Sequence, residues 1–211
     1  MNETLERILT EKDAENLLEK EGFEVIKRAL IKDSKDIEKV TKQISLPWAM
    51  KISSKKIIHK AKIGGVILNI KTIDDAKKAF NKLSKIKDFE EVLIQPMIKN
   101  EPMLILGLKK TPEFGTVIML GKGGSFAEKE KDVSFRALPI SEKDAEQMIK
   151  EIKFYKELKE KNINLSAIKE GLLKLSKLAK KYPKISELDI NPAVVTQGKV
   201  IVIDARIILE D

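Results

Sequence analysis

Between Glu187 and Arg206 the chain reads Glu-Leu-Asp-Ile-Asn-Pro-Ala-Val-Val-Thr-Gln-Gly-Lys-Val-Ile-Val-Ile-Asp-Ala-Arg. Few folds other than a β-hairpin accommodate that pattern. Successive side chains of a strand point to opposite faces, so Leu188 and Ile190 share one face while Asp189 and Asn191 share the other. On the return strand Ile201, Ile203, Ala205 and Ile207 alternate with Val202, Asp204 and Arg206. A two-residue turn at Gln197-Gly198 sets the register: Val195 opposite Val200, Asn191 opposite Asp204, Asp189 opposite Arg206. Four polar side chains, Asp189, Asn191, Asp204 and Arg206, then interrupt an otherwise apolar hairpin on one face. A carboxylate beside an amide oxygen suits Mg²⁺, which takes one or two protein oxygens and completes its shell with water and substrate phosphate. The bland alternative is an Asp189–Arg206 cross-strand ion pair of roughly 0.2–1 kcal/mol, with Asn191 and Asp204 at a wet edge.

The rest of the chain mixes helix and strand signals. Thr10 to Asp13 reads as a capping box with Gly22 as the stop. Ser34 opens a helix to about Gln43, and Thr72 opens another with Ala76, Phe80 and Leu83 on one face. Ser141 opens a helix carrying Ala145, Met148, Ile149 and Ile152, and Ser166 opens the last, closed by Pro183. Strands are expected over 25–31, 47–52, 66–70, 92–97, 103–109, 116–120, 186–195 and 199–209. This order predicts an α+β fold with largely antiparallel sheets and no internal repeat.

Composition narrows the function classes. The chain has 211 residues, no cysteine, one histidine and a net charge of +8. Disulfides and thiol catalysis are excluded, and a structural zinc site is not expected. No apolar run approaches the ~20 residues of a membrane span. The N-terminus carries no signal-peptide pattern, so a cytoplasmic protein is expected. The basic residues are mostly lysine, interleaved with acids, and aromatics are 5%. Base readout favours arginine forks and single-strand binding favours aromatic platforms, so a nucleic-acid binder is disfavoured.

Three further groups suit phosphate chemistry, each with a plain alternative. Lys51 faces opposite to Met50 and Ile52; it is either a phosphate anchor or a snorkelling lysine. Gly64-Gly65 opens a strand, where bare N–H groups approach a phosphate or simply make a turn. Gly121-Lys-Gly-Gly124 has the same ambiguity. His59 is either a solvated or capping histidine, or a nucleophile whose N–P adduct splits one transfer into two.

Taken in order, Leu9-Thr-Glu-Lys-Asp-Ala-Glu-Asn-Leu-Leu-Glu-Lys-Glu-Gly22, Met50-Lys-Ile, Ile58-His-Lys with Ile63-Gly-Gly-Val66, Phe114-Gly-Thr-Val, Lys131-Asp-Val-Ser-Phe-Arg136, Leu188-Asp-Ile-Asn-Pro192 and Ile203-Asp-Ala-Arg-Ile207 carry a family pattern. The chain resembles the β subunits of ADP-forming acetyl-CoA synthetases (acetate–CoA ligases), ATP-grasp proteins related to the succinyl-CoA synthetase β subunits. The resemblance implies one ATP-grasp domain over 1–211, with lobes at 23–94 and 95–211 and helix 10–22 packed on the second. It implies ATP/ADP and Mg²⁺ as cofactors and an α subunit, in an α2β2 assembly, as partner. On this resemblance His59 carries the phosphoryl group from an α-subunit phosphohistidine to ADP, and Asp189 supports the phosphohistidine. Asn191 and Asp204 hold magnesium, Lys51 and the Gly64-Gly65 pair bind phosphate, and the hinge Gln95, Met97 and Ile98 meets adenine. Arg206 is left unassigned.

One departure touches the nucleotide. Family members usually carry an acid where this chain has Met103; Glu101, two residues earlier, shares its strand parity, so either Glu101 substitutes or nucleotide binding is weaker. The resemblance leaves two rivals: a stand-alone ATP-grasp carboxylate ligase and a non-catalytic nucleotide-binding subunit.

Overall fold

The structure is a computed structural model; it describes residues 7–57, 60–99, 101–124, 132–196 and 198–210. The chain divides into two compact units: residues 26–100, and residues 1–25 with 101–211. The expected boundaries fell at 22/23 and 94/95. The later boundary arises because the sixth strand, Glu91–Pro96, is wholly committed to the smaller sheet.

The larger unit is built on one sheet in the order β1 (Arg7–Ile8), β12 (Ala205–Leu209), β10 (Ile185–Thr196), β7 (Met103–Thr111), β8 (Gly115–Lys122), β9 (Val133–Ala137). All these pairs are antiparallel. β11 (Lys199–Val202) pairs with the far half of β10, and β2 (Glu24–Val25) runs parallel to β11. Strand alternation sorts the side chains. Leu104, Leu106 and Leu108, Ile118 and Leu120, and Leu188 and Ile190 turn to one face. There they bury against α1 (Glu11–Lys20), α4 (Glu142–Glu151) and α6 (Leu165–Lys181) through Ala14, Leu18, Met148, Ile149, Leu172 and Leu175. Each such Leu or Ile contributes roughly 1.5–3 kcal/mol by leaving water. Helix 10–22 thus has its apolar face in this unit's core.

The register derived from the two-residue turn is the one observed. Val195 pairs with Val200 and Asp189 with Arg206, and Asn191 N–H donates to Asp204 O at 3.1 Å. The expected return strand divides into β11 and β12 around Ile203-Asp204 while keeping one register against β10 across the division; at the same place β10 shifts its register against β7, between Ile190 and Ala193. Ile203 N–H donates to Pro192 O at 3.0 Å across this irregularity. That leaves Asn191 and Asp204 side by side where ladder pairing lapses.

The smaller unit is a four-stranded antiparallel sheet, β3 (Ala29–Ile31), β6 (Glu91–Pro96), β4 (Trp48–Ser53), β5 (Val66–Ile70). One face packs Trp48, Met50, Ile52, Val92 and Ile94 against α2 (Ile37–Val40) and α3 (Ile73–Leu83). In α3, Ala76, Ala79, Phe80 and Leu83 recur at helical spacing, and Thr72 Oγ1 caps its start by accepting from Asp75 N at 3.1 Å.

Several element boundaries differ from expectation. The 34–43 segment is a 3₁₀ turn, Ser34–Asp36, followed by α2, capped by Asp33 rather than Ser34. The last helix begins on Asn164, whose Oδ1 accepts from Ser166 N, so the cap lies two residues before the expected one. β9 and the short α5 (Tyr155–Glu160) were not expected. Among the described residues no helix is long and apolar enough to cross a membrane.

Candidate functional site

On β10 the odd-numbered residues Glu187, Asp189 and Asn191 face away from the helices, and each is fixed differently. Glu187 is clamped by two cations: Lys109 Nζ on β7 lies 2.8 Å away, and the guanidinium of Arg206 on β12 binds its other oxygen. These ion pairs hold the Glu187 carboxyl below the usual carboxylate range although burial pushes it upward. Asp189 has no such clamp. Its Oδ1 is buried and has no hydrogen-bond partner. Burial pushes its carboxyl up to about 6 against the pull of Arg206, with Glu187 and Asp204 adding to the rise. The bland reading of an Asp189–Arg206 ion pair therefore fails. Arg206 is the register partner of Asp189, but its charge is delivered to Glu187.

Asn191 is oriented by the glycine segment after β8. Gly124 adopts φ +80°, and its N–H donates to Asn191 Oδ1 at 2.8 Å. That donor identifies the amide oxygen, which keeps a second lone pair. Gly123 allows the approach: a Cβ there would lie 2.2 Å from Leu104 O. Asp204 is half-buried beside it. Among the described residues no three His, Cys, Asp or Glu side chains group to hold a metal. The donor set is thus two hard oxygens with an orphaned carboxylate oxygen nearby. It fits Mg²⁺ shared with a phosphate and does not fit a closed structural metal site.

Asp189 borders a cavity of about 270 Å³ lined by Ile105, Gly107, Met119, Phe135, Glu187 and Asp189, among others. Gly107 lies directly opposite Asp189 on β7. A Cβ on it would sit 3.2 Å from both Leu188 O and Met119 Cε, so the missing side chain keeps the space above the carboxylate open. Glu187, Lys109 and Gly107 were missed from the sequence. Glu187 shares the parity of Asp189 and Asn191, and that signal pointed to it.

In the smaller unit Lys51 is 5% exposed and Gln95 2%. Lys51 pairs with Leu93, and Ala49 with Gln95, so Lys51 and Gln95 lie on one face, opposite to Trp48, Met50 and Ile52. Gln95 Oε1 is buried and without a hydrogen-bond partner. Met97 N–H donates to Pro47 O at 2.8 Å, and its sulfur accepts from Asn69 N at 3.1 Å; Ile98 is half-buried.

Two expectations need correction. The amides of Gly64 and Gly65 already donate to Ala61 O (3.2 Å) and Lys60 O (2.8 Å), so neither is an open phosphate donor. Gly65 is required for packing: a Cβ would meet Ile52 Cγ2 at 2.6 Å and Lys60 O at 2.9 Å. Glu101 is exposed in a bend ahead of β7, which begins at Met103, so the strand parity expected of it does not exist. His59 lies outside the described residues.

The ATP-grasp domain family matches residues 1–209. The β subunit of acetate–CoA ligase [ADP-forming] II from Pyrococcus furiosus is 40% identical, covering 96% of this chain and 92% of that subunit. Acetate–CoA ligase [ADP-forming] II from Archaeoglobus fulgidus is 38% identical over 96% of this chain, which spans only 30% of that protein. Among solved structures, the acetyl-coenzyme A synthetase 1 of Ca. Korarchaeum cryptofilum, in complex with coenzyme A, Ca-AMPCP and HgCl⁺, matches with a TM-score of 0.87. It is 33% identical and covers 96% of this chain and 93% of that one. A second structure of the same protein, with coenzyme A and Mg-AMPPCP and its phosphohistidine segment pointing towards the nucleotide binding site, matches with a TM-score of 0.80 and 33% identity, covering 96% and 93%. The chain therefore belongs to the ATP-grasp family, in the branch that contains the β subunits of ADP-forming acetate–CoA ligases.

Proposed function

We propose that this chain is the nucleotide-binding subunit of an ADP-forming acyl-CoA synthetase, catalysing acetyl-CoA + ADP + phosphate = acetate + CoA + ATP together with an α subunit. The observation that carries the reading is the β10 arrangement: Asn191 and Asp204 side by side, and Asp189 buried with an unpartnered oxygen above an open cavity. In this reading CoA and acyl chemistry belong to the α subunit, whose phosphohistidine supplies the phosphoryl group. His59 accepts it through an N–P bond as the donor's N–P bond breaks, then passes it to the terminal oxygen of ADP. Asp189 offers its carboxylate to an imidazole that becomes positively charged when phosphorylated. A carboxylate that binds no cation of its own beforehand is suited to that task.

Asn191 and Asp204 are the residues that would hold Mg²⁺, which when bound neutralises phosphate charge on the nucleotide. Lys51 supplies a fixed positive charge for the phosphates, and Gln95 to Ile98 offer the adenine edge. A second reading, a nucleotide-binding subunit without turnover, is favoured by one observation: Glu101 lies ahead of the strand that begins at Met103, where the family pattern implies an acid, and is not placed on it to substitute.

The deciding experiment reconstitutes the chain with its α partner and assays ATP formation from acetyl-CoA, ADP and phosphate. An acid-labile, base-stable phosphohistidine should form on this chain, and His59→Ala should abolish it while ADP still binds. Full activity in His59→Ala would remove the transfer role, and ADP binding without turnover would favour the second reading.

A further inference from the structure

Arg206 is the cation that the hairpin sets opposite Asp189: the two are register partners on adjacent antiparallel strands, with side chains on the same face. A carboxylate and a guanidinium so placed ordinarily join as a cross-strand pair. Here they do not. The guanidinium reaches Glu187, two residues along β10, and Lys109 reaches the same carboxylate from the strand on the other side. Glu187 thus binds one cation from β12 and one from β7, the two strands that flank β10. Asp189 lies between them with Oδ1 buried and without a hydrogen-bond partner, facing Gly107, which has no side chain to fill the space. Leaving a buried carboxylate oxygen unpaired is costly, and Arg206 is the cation that cross-strand pairing sets opposite it. Glu187 draws it away, and holds Lys109 on its other oxygen.

We infer that Glu187 is a positioning residue for Asp189: with Lys109, its own register partner, on one oxygen, it draws Arg206 to the other and keeps that cation off Asp189, so the carboxylate stays open towards the cavity for a cationic or N–H-bearing group that arrives during the reaction. The inference rests on the reading that Asp189 supports a phosphorylated imidazole. It separates two functions that one strand would otherwise confuse. Glu187 satisfies the local positive charge, and Asp189 is kept for the reacting group.

The test uses the reconstituted complex of this chain with its α partner and measures kcat and the KM for ADP. Glu187→Gln keeps shape and removes the negative charge, releasing Arg206 to bind Asp189. It is expected to lower kcat by about tenfold with the KM for ADP little changed, as befits loss of an interaction made during transfer rather than nucleotide binding. Adding Arg206→Gln to Glu187→Gln removes the cation that is the register partner of Asp189, while Lys109 stays opposite position 187, and is expected to restore most of the lost rate. A purely structural role for Glu187 predicts the opposite, since the double variant would lose a second ion-pairing group. Thermal unfolding of each variant confirms that the fold persists. If Glu187→Gln is as fast as the parent, or the double variant is as slow as Glu187→Gln, the inference is overturned. Asp189→Asn in the same assay tests the underlying reading separately: full activity there removes the role of Asp189 itself.

Discussion

The two sheets each bury polar groups on the face turned away from their helices, but they hold them in different ways. In the larger unit the face of β10 is organised by partners distant in the chain: Lys109 on Glu187 across 78 residues and Gly124 on Asn191 across 67. In the smaller unit the pairing of β4 with β6 puts Lys51 and Gln95 on one face. The glycines follow the same division. Gly123 and Gly124 serve the polar site, whereas Gly64 and Gly65 serve their own turn. The larger unit ties its polar residues together with side-chain bonds between distant segments, and the smaller one brings Lys51 and Gln95 to one face by the pairing of β4 with β6.

The largest expected effect breaks that assembly at its tightest point. A Cβ on Gly123 would lie 2.2 Å from Leu104 O and 2.3 Å from its carbonyl carbon, both backbone atoms that cannot move aside cheaply. Gly123→Ala is expected to cost roughly 4 kcal/mol or more. It should also weaken Mg-nucleotide binding by displacing the Gly124 amide from Asn191. Urea unfolding and titration calorimetry read the two effects, and an unchanged urea midpoint would contradict the close approach.

Next comes the cost of keeping Asp189 open. Its folded carboxyl titrates at about 6 against a reference of 3.8, because burial disfavours the charged form. A raised acid works against folding once it ionises. The stability it leaves intact below about pH 4 is lost as pH rises through about 6, amounting to roughly 3 kcal/mol above that. Metal-free Asp189→Asn should therefore be more stable than the parent at pH 7 by up to about that amount, with little difference near pH 4. Urea midpoints measured across this range for both proteins check the sign, and a pH-independent difference contradicts it.

Asp189, Asn191, Asp204 and Arg206 were legible from sequence because a strand has a rigid two-residue period, and a two-residue turn fixes register over the whole hairpin. The role of Glu187 was not legible. Its meaning depends on Lys109, on a strand whose neighbour in the sheet no local pattern reveals. The α+β class followed from periodicity, but the ATP-grasp fold and the role of His59 came only from family resemblance. The shift of β10 against β7 between Ile190 and Ala193 was hidden, because it is a pairing event between strands distant in the chain. The Gly64-Gly65 pair shows the limit of composition: two glycines opening a strand read alike whether they cradle a phosphate or permit Ile52 to pack.

That ambiguity gives a smaller test. Gly65→Ala pushes a methyl into Ile52 Cγ2 and Lys60 O and is expected to cost about 2 kcal/mol. The effect should appear in stability, with ADP affinity following only as far as the fold is weakened. A loss of ADP affinity with an unchanged urea midpoint would return the pair to a phosphate role.

The smallest effects, two helix caps, ask whether the units are separate cooperative bodies. Thr72 caps α3 in the smaller unit, and Ser141 caps α4 in the larger one through a full capping box with Asp144. Replacing either by alanine is expected to cost about 1 kcal/mol. The chain has one tryptophan, Trp48, fully buried in the core of the smaller unit, so its fluorescence reports that unit. If the units unfold independently, Thr72→Ala lowers the fluorescence-detected midpoint while Ser141→Ala leaves it in place and moves only the circular-dichroism transition, since α4 and α6 belong to the larger unit. Equal shifts of the fluorescence midpoint by both variants would mean that one transition covers the whole chain, and that the contrast between the two sheets lies in how their sites are built, not in how they fold.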